Sequence, residues 1–264
     1  MDACLRLITG DFDRPVLWRY LAVVYGIYWG LILGCLSLFP EHKFTIMSHS
    51  YSALGSYSAD NNPQWWWLFS IAMTFWGIAM VPVVFYNFRR LAIISVWAAG
   101  IGAFFMMVGG IGISLVGFFP DGRGTTFGNL EIRKIHNCVA LIGTIGYVVS
   151  SICFGIMLII DALKNATSGE HGDFDYKWLI LPYLVSGGLF GTGLHFMFRW
   201  ESVYANLRAA AIAAGQPVPG HFGAALNTRY SFPLWENLAV CALFLFIGWF
   251  ALALPKEVPL GERY

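Results

Sequence analysis

Residues 91–119 read LAIISVWAAGIGAFFMMVGGIGISLVGFF, with no charged side chain among them. As a helix rising about 1.5 Å per residue, this run exceeds the ~30 Å of hydrocarbon in a bilayer. Gly109, Gly110, Gly112 and Gly117 within it let a neighbouring helix approach closely. Another apolar run, about 65–86, stands just before it and is closed by Asn87, Arg89 and Arg90. The two make a tight helical hairpin. Working outward, four more runs are long enough to span: about 16–39, 136–160, 177–198 and 233–254. Pro15 stands where the first would begin. The sequence therefore predicts an all-α integral membrane protein, one transmembrane domain over 1–264 with six spans.

Composition agrees. Hydrophobic residues make up 58% and charged residues only 12%, with a mean hydropathy of +0.63. A soluble domain carries about a quarter charged residues. The 17% aromatic share, with 11 Trp, suits interfacial belts. A net charge of +1 gives no basic field to attract nucleic acid. The five cysteines form no CxxC pair, which argues against a disulfide framework or a thiolate zinc site. The first 15 residues hold Asp2, Arg6, Asp11, Asp13 and Arg14, too charged for a cleavable signal peptide.

Six spans put both termini on one side. That side collects nine basic residues and the other seven, although the loops of the second are longer. The positive-inside rule places the termini in the cytoplasm. The sequon Asn165-Ala166-Thr167 then falls in a cytoplasmic loop, 161–175. On the other side a long connection, 199–232, carries an Ala-rich stretch, Tyr204 to Ala214, read as a short surface helix ended by Gly215.

Between the first two spans lies a polar run, 48–62, with His49, five Ser, Asp60, Asn61 and Asn62, stopped by Pro63 and Trp65 to Trp67. Its side chains can satisfy a loop backbone locally, and Gly55 offers a tight turn with positive φ. The expectation is an ordered polar loop folded over the non-cytoplasmic helix ends.

Five of the six His fall in the non-cytoplasmic loops or near the helix ends beside them. His136 opens the fourth span. His195 lies near the outer end of the fifth, with Arg199 four residues on, and Glu236 opens the sixth. Ionisable groups inside a span are costly and so point to function. The ligand-binding candidates are His49, Ser52, Asn61, Asp121, His136, His195, Arg199 and Glu236, with Arg199 or His195 the expected partner of Glu236. Ser52, Asn61, His136 and Glu236 are expected around one pocket, within about 12 Å. Bland roles stand beside these: an interfacial His136, a snorkelling Arg199, a turn residue at Asp121.

Several short motifs recur in a familiar order. They are Ser52-Ala53-Leu54-Gly55, then Asn61 or Asn62 before a Trp/Phe-rich span, and Gly117 to Pro120 closing the third span. His136 and Trp235-Glu236 follow. From about residue 16 to 254 this order resembles the Frag/DRAM/Sfk six-helix membrane family and its prokaryotic domain-of-unknown-function relatives. The 199–232 connection lies outside the match. The resemblance implies a role in lipid matters: glycolipid-anchor remodelling, phospholipid distribution or autophagy regulation.

Three readings compete. A lipid-binding or lipid-regulatory protein would hold a headgroup, with membrane lipids as partners, Arg199 on phosphate and Ser and Asn groups on hydroxyls. A metal-dependent lipid hydrolase would bind zinc through His49, His136 and His195, with Glu236 or Asp60 as base. No HxxxH or HExxH pair is present, no metal or other cofactor is expected, and no residue is assigned as catalytic. A structural or accessory subunit of a larger membrane complex would use the aromatics and glycines.

Overall fold

The computed structural model describes residues 3–11, 13–59, 61–62, 64–122, 124–168 and 174–254. Among them, six helices are long and apolar enough to cross a membrane, as expected of a multi-pass membrane protein. A short α1 (Ala3–Ile8) precedes α2 (Arg14–Ser37). The second span is α3 (Trp66–Ala79) followed by α4 (Val81–Leu91), and the third is α5 (Val96–Phe118). A small antiparallel hairpin, β1 (Thr126–Phe127) and β2 (Leu130–Glu131), leads into α6 (Ile132–Ser168). Then come α7 (Tyr176–Ala213), a one-turn α8 (His221–Ala225) and α9 (Phe232–Ala253).

Helix starts follow from local chemistry. Asp13 accepts the amide of Val16 at 3.0 Å ahead of α2, with Pro15 in the first turn. Ser95 and Ser231 cap α5 and α9 in the same way, and Pro233 sits in the first turn of α9. The second span breaks where Pro82 removes one amide from the ladder. The hydroxyl of Tyr20 donates to the carbonyl of Ala79 at that break, at 2.5 Å.

Two expected boundaries need correction. The loop expected at 161–175 starts later, because α6 runs on through Ser168 and takes the sequon with it. Asp161 and Asn165 project from α6 onto Tyr176, whose hydroxyl donates to Asp161 at 2.5 Å and accepts from Asn165 at 2.8 Å. The separate surface helix expected at Tyr204 to Ala214 is the continuation of α7. Nothing between Arg199 and Ala213 breaks a helix, and Trp200 and Tyr204 pack on His221. The helix stops at Gly215, where φ is +63°.

The bundle is built on glycine contacts. Helices α5 and α6 share the broadest packing. A methyl group at Gly112 would lie 2.5 Å from Cα of Gly143, and one at Gly146 would lie 2.5 Å from the amide of Gly109. Only hydrogen fits at that crossing. Where α3 meets α5, the hydroxyls of Thr74 and Ser114 exchange hydrogen bonds with each other's carbonyls. The aromatic centre is Trp76 stacked on Phe244 at 4.5 Å, with Tyr28 against both. The Tyr25 hydroxyl enters the ladder of α9, donating to Phe244 O and accepting from Gly248 N.

Candidate functional site

The segment after α2 folds onto the start of α9. The Ser231 hydroxyl donates to the carbonyl of Met47 (2.5 Å), and Asn237 donates through Nδ2 to that of His49 (2.9 Å). A 3₁₀ turn, Tyr51–Gly55, follows. Its first backbone N–H groups have no partner within so short a helix. Those of Ser52 and Tyr51 lie within hydrogen-bonding reach of the half-buried Glu236 carboxylate. The Tyr51 hydroxyl pairs with that of Tyr28 at 2.7 Å, and burial keeps this phenol protonated well above its ordinary range.

Asn62, rather than Asn61, anchors the far end of the turn. It is 0% exposed, donates to Leu54 O at 2.9 Å and accepts from the amide of Trp65 at 3.3 Å. Asn61 is half-buried, and its amide donates to Ser58 O. Gly55 does not use the positive φ expected of it. Its missing side chain instead admits the ring of Phe69, which a Cβ would meet at 2.2 Å.

His136 is 2% exposed, and its Nδ1 donates to Phe119 O at 2.7 Å, satisfying a carbonyl at the end of α5. Asp121 lies 3.6 Å from the Arg133 guanidinium and interacts electrostatically with both His136 and Glu236. Ser52, Asp121, His136 and Glu236 thus stand at one end of the bundle, joined by Arg133.

The other candidates lie elsewhere. His49 is stacked on Phe44 and set edge-on to Phe39. Its Nδ1 accepts from the amide of Thr45 and the hydroxyl of Ser48, which leaves the proton on Nε2. His195 and Arg199 are exposed on α7. The expected Glu236 pairing with either is corrected: among the described residues the ion pairs do not include Glu236, whose carboxylate has the loop amides of Ser52 and Tyr51 nearby. Asp60 and Pro63 lie outside the described residues. Among the described residues, no three His, Cys, Asp or Glu are placed to hold a metal ion. His49, His136 and His195 occupy three separate environments.

Sequence reasoning missed Asn237, Ser231 and Arg133, and took Asn61 rather than Asn62 as the site candidate. Ser231-Phe232-Pro233 is a legible helix-start signal, whereas nothing in the sequence separates Asn62 from Asn61. It also missed two glycine tracks. On α7, Gly187, Gly188 and Gly191 have no atom within 4 Å of where a Cβ would stand. Gly188, Gly191, Thr192, His195 and Arg199, all exposed, fall on one stripe of that helix. On α2, Gly26 and Gly30 open outward in the same way, with Gly34 one turn further.

No protein-family model matches the chain, and neither a curated protein nor a solved structure is found to be similar to it.

Proposed function

We propose that this is a six-pass membrane protein that binds membrane phospholipid and acts in lipid distribution or remodelling, with both termini in the cytoplasm. The loop 48–62 and the far end of α7 then face away from the cytoplasm. The observation that carries the reading is the outward stripe on α7. Gly188 and Gly191 leave the outer face of α7 without side chains, open space in which an acyl chain can lie. His195 and Arg199 stand at its end. Arg199 is about 35 Å along the helix from Tyr176, one bilayer core away, at headgroup level. A guanidinium there meets a phosphate through charge-assisted hydrogen bonds. The carboxylate and imidazole of Glu236 and His136 are engaged within the protein, which favours lipid binding over hydrolysis. The Frag/DRAM/Sfk resemblance of residues 16–254 belongs to the same proposal.

The test is native mass spectrometry of the purified protein titrated with phospholipid. Arg199→Gln with His195→Gln should weaken phospholipid binding about tenfold, and Gly188→Leu with Gly191→Leu should do the same without removing a charge. Wild-type binding in both variants would end the lipid reading. In a cysteine-free background, Thr126→Cys should label from the non-cytoplasmic side of the membrane and Thr167→Cys only from the cytoplasm. The reverse pattern would invert the topology.

The α2 track favours a second reading, an accessory subunit of a larger membrane complex. Glycines at positions 26, 30 and 34 let a neighbouring helix approach closely. Gly30→Leu should then release a partner that copurifies with the wild type, and a protein that is monomeric in gentle detergent leaves this reading without support.

A further inference from the structure

We propose that one water molecule is bound inside the bundle, between α4, α5, α6 and α9, as a fixed ligand of Asn87 and Ser150. Both side chains are shut off from the outside, at 0% and 2% exposure. Asn87 donates through Nδ2 to the sulfur of Met106 at 3.5 Å, but its Oδ1 receives no donor from the protein. The Ser150 hydroxyl has no partner either. The next residue shows the usual alternative, for Ser151 donates to Val148 O at 2.8 Å. Ser150 forgoes that bond.

The two residues line a cavity large enough for about one water molecule, together with Met106, Phe154, Phe246, Phe250 and Tyr147, whose hydroxyl is likewise without a partner and can add a third contact. Unmet polar groups are expensive in protein surrounded by hydrocarbon, where no bulk water reaches them. The two sites are complementary. Asn87 Oδ1 needs a donor, and Ser150 has a hydroxyl proton to give and lone pairs to offer. A single heavy atom that both donates and accepts serves both, and that is water. A sodium or potassium ion asks for five or more oxygens, and aromatic rings and a thioether make up much of this lining. The water therefore joins the Asn87 side chain of α4 to α6, a link that the protein's own groups do not make.

The site is tested in two independent ways on the full-length protein. A map of the wild type in lipid nanodiscs, at a resolution that shows ordered water, should contain one peak within hydrogen-bonding distance of Asn87 and Ser150. A direct Asn87–Ser150 hydrogen bond, a cavity without density or an ion-like shell of five or more oxygens would each overturn the proposal. The second test is a mutant cycle. Ser150→Ala and Asn87→Leu each remove one of the water's holders, so each should speed unfolding in mixed micelles. The double variant should unfold no faster than the worse single one, because the water is lost with either partner. Effects that multiply would show two independent side chains and no shared ligand. If Asn87→Leu does not fold, the map alone decides.

Discussion

Replacing Gly112 by alanine probes the contact on which the bundle depends most. The added methyl would stand 2.5 Å from both Cα and N of Gly143 and 3.0 Å from Val139 O. All three are backbone atoms, so no side chain can turn aside. Ordinary contact begins near 3.4 Å, so α5 and α6 must part by about 0.9 Å at this point. A gap of that size forfeits a quarter to a half of each facing pair's attraction, itself about 0.1–0.2 kcal/mol. Over roughly twenty to forty facing pairs the loss is about 0.5–4 kcal/mol, which brackets the ~1–3 kcal/mol usual for overpacking a core. The assay is equilibrium unfolding in mixed micelles, with Gly100→Ala on the same helix as control. The nearest atom to a methyl at Gly100 is Cε2 of Phe88, 3.9 Å away. Gly112→Ala should lose stability while Gly100→Ala holds or gains it. Equal stability of the two variants would refute a close glycine crossing.

Two further outcomes follow from single contacts. Gly248→Ala sets a methyl 2.5 Å from the Tyr25 hydroxyl and should destabilise the fold by about 1–3 kcal/mol. Adding Tyr25→Phe removes the nearest obstructing atom together with its bonds to Phe244 O and Gly248 N, so the double variant should lose less than the sum of the two single losses in the same unfolding assay; a full sum would show that the hydroxyl is not wedged there. Glu236→Ala strips the acceptor from the amides of Tyr51 and Ser52, while Glu236→Gln keeps an oxygen for them. Limited proteolysis between residues 40 and 62 should therefore be faster in the alanine variant than in the glutamine one, and equal rates would contradict the contact.

The six spans were legible because the signal for a membrane helix is additive over about twenty residues and needs no tertiary information. Their ends were less so. Asp161 and Asn165 read as loop residues, yet they stay helical because Tyr176 of the next helix takes their hydrogen bonds. Arg199 read as the end of a span, although a charge ends an apolar run and not the helix, which continues to Ala213. The site was partly legible. Asp121, His136 and Glu236 stood out as ionisable groups near apolar runs. That the Glu236 carboxylate lies beside the loop amides of Ser52 and Tyr51 was hidden, since backbone amides carry no letter of their own in a sequence. Asn62 against Asn61 is decided by which of two neighbours points inward, a matter of loop geometry.

The continuity of α7 has a mechanical consequence. It is held to α6 at Tyr176 and Tyr183, and Pro182 removes one of its ladder bonds beside the second of these. Beyond that clamp α9 takes over as the support: Ser186 donates to Ala242 O at 3.3 Å, Phe196 stacks on Trp235, and Trp200 packs on Tyr230. Tyr204, against His221, is the last of these contacts before the exposed end of α7. From there to Ala213 is nine residues, so about 14 Å of rod follows any tilt imposed by the start of α9.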